Sequence, residues 1–436
     1  MNVIRRTDVV VVGGGPAGLA AADAAASLGK QVLLLDQGSQ LGGQIWRHRP
    51  GDHLPNAARS ALSQVRPPRV SVAHRASVID ATSAHELVVS FNGRVAVVEA
   101  GAVVLATGAV ERFLPFPGWT LPGVVGIGGL QALVKSGLRV TGARVVLSGA
   151  GPLLLPVAAT LATRGADVVL MAEQASQASV RSFARTALVH PGRLLQAAAL
   201  RWSSRQARYR TDSWVLQATG RGRLEQAIMQ VNGREETIAC DWLATAAGLA
   251  PRTALAQLLG CGLSGEAIAV DDLQQTSVEA VYAAGECCGV KGDAGAVVEG
   301  TIAGMAASGA SIPASLRRRR DAARRFGAHM TRCFAPRREL LDRVTPETVI
   351  CRCEDVTRSA IAPEWSQRQA KLWSRVGMGA CQGAVCGSAC QALFGWEPNA
   401  ARPPLDQPEL GSWARALEEL SDPRLPAPAL PPAPGA

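Results

Sequence analysis

Gly13-x-Gly15-x-x-Gly18 sits between a run of four valines, Val9–Val12, and an Ala-rich stretch from Pro16 to Leu28. A continuous β-branched run suits a parallel strand buried on both faces. The glycines break that strand, the alanines read as a helix that Gly29 ends, and Val32–Leu35 reads as the next strand. Each glycine has its own reason at this spacing. Gly13 permits the tight turn, Gly15 lets backbone approach a diphosphate, and Gly18 lets helix and strand pack closely. The first helical N–H groups, from Ala17 onward behind Pro16, with the helix dipole, favour an anion. Asp36 ends the second strand 18 residues after Gly18, where a carboxylate accepts hydrogen bonds from a ribose diol. The chain is therefore α/β and opens with a dinucleotide-binding unit.

The pattern recurs about 135 residues further on. Val145–Leu147 reads as a strand, Gly149-Ala-Gly151 as the turn, and Val168–Met171 as the following strand. Leu154 takes the third glycine position, so this helix cannot sit as close to its strand. Glu173 ends the strand and suits NAD better than NADP, and two outcomes stay open: an NAD(P) site, or a scaffold that no longer binds nicotinamide. No Cys-x-x-Cys occurs in this region, which removes a dithiol relay.

A chain of 436 residues with 47% hydrophobic content has room for about three domains and a sizeable core, which excludes a disordered chain. The net charge of +10 would suit nucleic acid, but aromatics are only 4% and 41 of the 45 basic residues are arginine, scattered along the chain. That bias reads as coding composition, and no nucleic-acid partner is expected. Arg317–Arg320 with Arg324-Arg325 reads as a solvated helix face. The uncharged stretches Phe113–Val134 and Val145–Thr163 are broken by glycine and proline, so no integral membrane segment is expected. The N-terminal apolar run is too short for a signal peptide, and the expected location is the cytoplasm, with peripheral association at the inner face of the membrane left open. Six prolines in the last 14 residues make the tail extended or disordered. No acid, base or nucleophile stands out, and Trp46 and Trp119 read equally as flavin covers or core residues.

Five of the ten cysteines lie in one 40-residue window. Cys351-x-Cys353 and Cys381-x4-Cys386 offer four thiolates in two close pairs, which suits a [2Fe–2S] cluster. Zinc is the rival, though its cysteine pairs more often have two to four residues between them. Cys390 is the reserve ligand. Gly377, Gly379, Gly383 and Gly387 keep the backbone thin, so that N–H groups can turn toward sulfur, and Arg352, Lys371 and Arg375 would offset the cluster's negative charge. Cys287-Cys288 reads first as two small buried residues.

Several segments resemble known families. Leu105-Ala-Thr107-Gly108 and Ala283-Ala-Gly285-Glu286 resemble the later motifs of flavoproteins with two dinucleotide-binding domains, which implies FAD at the first site. Those proteins usually carry Asp where Glu286 stands, one methylene longer. Gly42-Gly43-Gln44 resembles their loop beside the flavin, and Val78 falls where their backbone meets adenine. The cysteine segment Val349–Thr357 with Lys371–Cys386 resembles the bacterioferritin-associated-ferredoxin-like [2Fe–2S] module. Its fused form occurs in flavoprotein subunits of opine oxidases, hydroxyproline dehydrogenases and the cyanide-forming glycine dehydrogenase. Gly42–Arg47, Phe116–Gly123 and Gly149–Leu155 are similar to that group too, so the resemblance spans the chain to about residue 410.

The resemblance implies a discontinuous FAD domain (1–112 and 240–325), an inserted second dinucleotide-like domain (113–239), a small α-helical [2Fe–2S] domain (326–400) and a Pro-rich tail (401–436). It implies substrate oxidation on a partner FAD subunit of the D-amino-acid-oxidase type, with room for a further small subunit and for an FMN at the subunit boundary. Electrons would pass through this chain toward a respiratory acceptor. The substrate class is an amino acid, imino acid or opine. The competing reading is a self-sufficient NAD(P)H-dependent reductase.

Overall fold

The computed structural model describes residues 3–49, 51–52, 54–92, 94–187, 198–396 and 401–406. The Pro-rich end, expected to be extended or disordered, lies outside the described residues. The chain divides into two compact units.

The first unit takes the chain up to Ala109, then Pro251–Gly327 and residues 401–406. Its sheet runs β3 (Val70–His74), β2 (Val32–Asp36), β1 (Val3–Val12), β6 (Arg94–Leu105), β5 (Glu86–Phe91), β4 (Ala76–Ser83). β1 is parallel to β2 and β6, and Val9, Val10 and Val11 are wholly buried, as expected of a strand covered on both faces. β4, β5 and the first half of β6 form an antiparallel meander, so β6 changes partner along its length. The strand Val281–Ala283 returns to pair with β6 beside Val103–Leu105.

Helix α1 (Pro16–Ser27) packs against the helix Asp293–Ala307 at backbone distance. A Cβ on Gly300 would lie 2.1 Å from the Ala17 carbonyl, and one on Gly304 2.2 Å from that of Ala21. Only glycine fits at both positions. The arginine run is less solvated than its sequence suggests. In the helix Ala314–Cys333, Arg320 is buried and donates to Asp321 and Asp272, and Arg324 faces Glu299.

The second unit holds Val110–Ala250 and the chain from Ala328 to residue 396. Its five parallel strands run β10 (Arg208–Arg210), β9 (Asp167–Glu173), β8 (Arg144–Gly149), β11 (Trp242–Thr245), β7 (Val124–Gly126). An antiparallel sheet, Ser213–Thr219, Gln226–Val231 and Arg234–Ala239, packs beside them through Val215, Ala218 and Met229. The cysteine module carries two helices, Gln367–Ser374 and Gly387–Phe394, and also a short antiparallel hairpin, Val349–Cys351 with Val356–Thr357, that the all-helical expectation missed. Its core is Ile350, Val356, Ile361, Ala370, Val376, Trp396 and three cysteines. Among the described residues no helix is long and apolar enough to cross a membrane.

Candidate functional site: an open dinucleotide turn and a cysteine quartet

The first turn separates the glycines by cause. A Cβ on Gly13 (φ +108°) would lie 2.2 Å from the Ala106 carbonyl, and one on Gly18 1.7 Å from that of Gly13. Chain packing demands those two. A Cβ on Gly15 would meet nothing nearer than Gly43 Cα at 3.9 Å, so packing does not explain it. A ligand drawn against the backbone does. Pro16 stands in the first turn of α1, no side chain caps the helix, and the first turn carries no acid, so its N–H groups are left for an anion. Asp36 Oδ2 accepts from Gly14 N–H at 2.5 Å and Oδ1 from Gly38 N–H at 2.6 Å, which aims the carboxylate across the turn. Gly42 N–H donates to Gly14 O at 2.8 Å, and Gly43 (φ +59°) lies against Gly15. Gln44 is exposed and accepts from Arg47.

The later motifs join the same turn. Thr107 Oγ1 donates to Arg252 O, and Arg252 N–H donates back to Gly108 O, which pins the turn after β6. Gly285 (φ +86°) sits against Ala17: a Cβ there would be 2.8 Å from Ala17 Cβ. Glu286 follows in a 3-10 turn, where burial pushes its carboxyl up against the opposing pull of the Gly292 N–H and Lys291. Val78 is buried in the edge strand β4, beside a bulge before Asp80. Cys287 is wholly buried, its thiol near the Leu105 carbonyl, with the Cys288 sulfur 3.9 Å away. Trp46 and Trp119 both belong to cores.

The second turn is built differently. Its helix α2 (Leu154–Thr163) starts five positions after Gly149, whereas α1 starts three after Gly13. Leu154 is buried where the third glycine would stand. Glu173 is 1% exposed, with Oε2 accepting from Gly151 N–H at 2.7 Å and Oε1 from Ala175 N–H at 2.8 Å. Burial raises its carboxyl to about 7, against those two hydrogen bonds.

The four cysteines come together, but crosswise. Cys353 Sγ lies 3.6 Å from Cys381 Sγ, and Cys386 has both Cys390 and Cys351 as neighbours. The Cys353–Cys381 contact thus takes one residue from each sequence pair. Cys351 and Cys386 are buried, Cys353 is exposed and Cys381 half-exposed. Burial pushes the Cys381 thiol up, but N–H groups of Val385, Gly383 and Ala384 and the Cys353 thiol outweigh it and hold it below its ordinary value. The neighbouring Cys390 thiol, then burial, raises Cys386. A Cβ on Gly379 would be 2.2 Å from Cys353 Cβ, and Gly377 and Gly383 take φ near +80°. Gly387 has open space and needs neither explanation. Two of the expected compensating charges are engaged elsewhere: Arg375 pairs with Glu354 at 2.5 Å, and Arg352 stacks on Trp119. Among the described residues, no three or more His, Cys, Asp or Glu side chains are arranged around a single metal position.

The family model for pyridine nucleotide-disulphide oxidoreductases matches residues 7–309. The chain belongs to the pyridine nucleotide-disulphide oxidoreductase family. It is 32% identical over 438 residues to an opine oxidase subunit of Agrobacterium tumefaciens, covering 89% of this chain and 85% of that one. It is also 32% identical over 426 residues to hydrogen cyanide synthase subunit HcnB of Pseudomonas protegens, covering 87% and 90%. Among solved structures, L-proline dehydrogenase from P. horikoshii superposes with a TM-score of 0.67 at 18% identity, over 94% of this chain and 80% of that one. A thioredoxin reductase from Lactococcus lactis follows at 0.53 and 20% identity, over 69% and 97%.

As a pyridine nucleotide-disulphide oxidoreductase the chain is a flavin-type enzyme of α/β fold, and the first turn fits FAD: an open Gly15, an uncapped helix start and an acid at the end of β2. Residue reading missed what holds this turn from behind. Lys291 and Glu299 form a buried pair at 2.9 Å, and Lys291 also donates to Gly285 O and Cys288 O. Glu299 accepts from Gly285 N–H as well. Gly300-x-x-x-Gly304 was the readable signal for the close helix contact.

Proposed function

We propose that this chain is the FAD- and [2Fe–2S]-containing electron-transfer subunit of a heteromeric dehydrogenase that oxidises an amino acid, imino acid or opine on a partner FAD subunit of the D-amino-acid-oxidase type. One observation carries the reading: Cys351, Cys353, Cys381 and Cys386 gather as two thiol couples in a chain that also keeps an open dinucleotide turn. Each iron of a [2Fe–2S] cluster takes two cysteines, whereas structural zinc takes four ligands on one ion. The relatives, named as subunits of an opine oxidase and of a hydrogen cyanide synthase, support a multi-subunit enzyme.

Gly13, Gly15, Pro16, Ala17, Gly18 and Asp36 would hold the adenosine diphosphate part of FAD, with Val78 toward adenine. Gly43, Gln44, Thr107, Gly108, Gly285 and Glu286 would lie along the rest. When bound, flavin exchanges one or two electrons and a [2Fe–2S] cluster one, so together they divide a hydride equivalent. The chain's own part is to exclude water and orient: Glu299 fixes Gly285, and N–H groups of Gly383, Ala384 and Val385 stabilise thiolate at Cys381. An FMN at the subunit boundary and a third, small subunit belong to the same proposal.

Co-expression with the products of adjacent genes, anaerobic purification, and absorption and EPR spectra test it. Flavin bands, a [2Fe–2S] signal and dye reduction by one of opines, hydroxyproline, proline, sarcosine or glycine are expected. A stable complex without iron or flavin would end the reading.

A further inference from the structure

We infer that the nucleotide seat of the second dinucleotide fold has become the anchor for this chain's own cysteine module, occupied by the segment Phe334–Arg343. In such folds a dinucleotide lies outside the carboxyl ends of the strands, over the glycine turn and against the acid that follows. Here that place is filled. The Phe334 ring lies over the turn, 3.2 Å from where a Gly151 Cβ would be. Gln174, beside Glu173 and 1% exposed, spends its whole amide on the segment. Its Nε2 donates to Phe334 O at 3.3 Å and Ala335 O at 3.0 Å, and its Oε1 accepts from Arg337 N–H at 2.9 Å. Arg337 donates to Gln174 O and to Asp212 and stacks on Trp214.

Further along, Leu340 and Arg343 line a crevice with Ser148, Gly149, Thr245 and Ala246, at the ends of β8 and β11. Arg343 donates to Val215 O at 2.6 Å and Leu114 O at 3.1 Å, and lies over Phe116. The grip then passes into the module. Leu340 packs with Ala389, Trp119 Nε1 donates to Val349 O at 2.6 Å, and Val349 and Val385 join the core around Phe116. Two peptide carbonyls and one N–H of the segment thus take up the Gln174 amide beside the acid, the Phe334 ring covers the turn, and the second fold serves as a receptor for a tether rather than for a coenzyme. This holds whether or not the cysteines carry iron.

Two measurements on the full chain test it. Calorimetric titration of the FAD-saturated wild type, whose first turn is occupied, with NAD⁺ and with NADPH is expected to show no saturable binding to about 1 mM. Thermolysin is expected to cut between Phe334 and Val344 about tenfold faster in Gln174→Ala, which loses three hydrogen bonds, while the melting transition persists. Saturable micromolar binding of either nucleotide by the wild type would overturn the inference, as would an unchanged cleavage rate in the folded variant. Should Gln174→Ala not fold, hydrogen exchange of the wild type decides: protected amides across Phe334–Val344 support the anchor, and unprotected ones refute it.

Discussion

Gly15 and Gly18 are two glycines of one motif with opposite sensitivities. Gly15→Ala places its methyl in open space, so stability should change by less than about 1 kcal/mol while FAD retention drops, read from flavin absorbance after gel filtration. Gly18→Ala drives a methyl into the Gly13 carbonyl and should cost about 3 kcal/mol or more, read from denaturant melts. Equal losses of stability in the two variants would remove the argument for a ligand at Gly15. The buried pair behind the turn behaves as a unit. Lys291→Met strands Glu299 in the core and should cost about 3–5 kcal/mol, softened by Arg324 at 3.6 Å, and Lys291→Met/Glu299→Leu should recover part of it. That pair was hidden in the sequence, since an i,i+8 lysine and glutamate in a glycine-rich stretch carry no signal of burial.

At the scale of elements, the fingerprint strand–turn–helix was legible because its causes are local: glycine spacing, β-branched residues and an acid at the strand end. The second unit shows where locality stops. Leu154 announced a looser helix, and the helix does start late. That Glu173 turns inward was not readable, because its partners are backbone N–H groups. It makes a testable pH dependence. The carboxyl titrates near 7 in the fold, above its usual value of 4.5. The folded state therefore holds the proton more tightly. This contribution is complete below about pH 4.5 and is lost as pH rises through 7, by about 3 kcal/mol. Glu173→Gln should flatten that slope in melts compared at pH 5 and pH 7.5, and an unchanged slope would place the titration elsewhere. The occupant of the second turn was equally hidden: Gln174 and Phe334 are 160 residues apart, and nothing in either segment names the other.

For the whole molecule, four cysteines at unusual density were readable as neighbours, but which of them meet was not. Sequence proximity suggested Cys351 with Cys353 and Cys381 with Cys386, and the fold joins them across. Ser substitution at any of these four should lower iron content to well below half in anaerobically purified complex, measured by iron assay and EPR. Cys390→Ser should keep the iron, since it removes a thiol beside Cys386 but none of the four proposed ligands. Loss of iron from Cys390→Ser alone would move the ligand set toward the buried helix Gly387–Phe394. The crosswise grouping also bears on biogenesis. An ion held by either couple would rivet the hairpin around Cys351 to a loop about 30 residues later. A nascent polypeptide has no complete couple until Cys381 has left the ribosome, and not both until Cys386 has. Loading of the proposed cluster would therefore follow synthesis of nearly the entire chain, and products truncated before that point would have nothing with which to claim the metal.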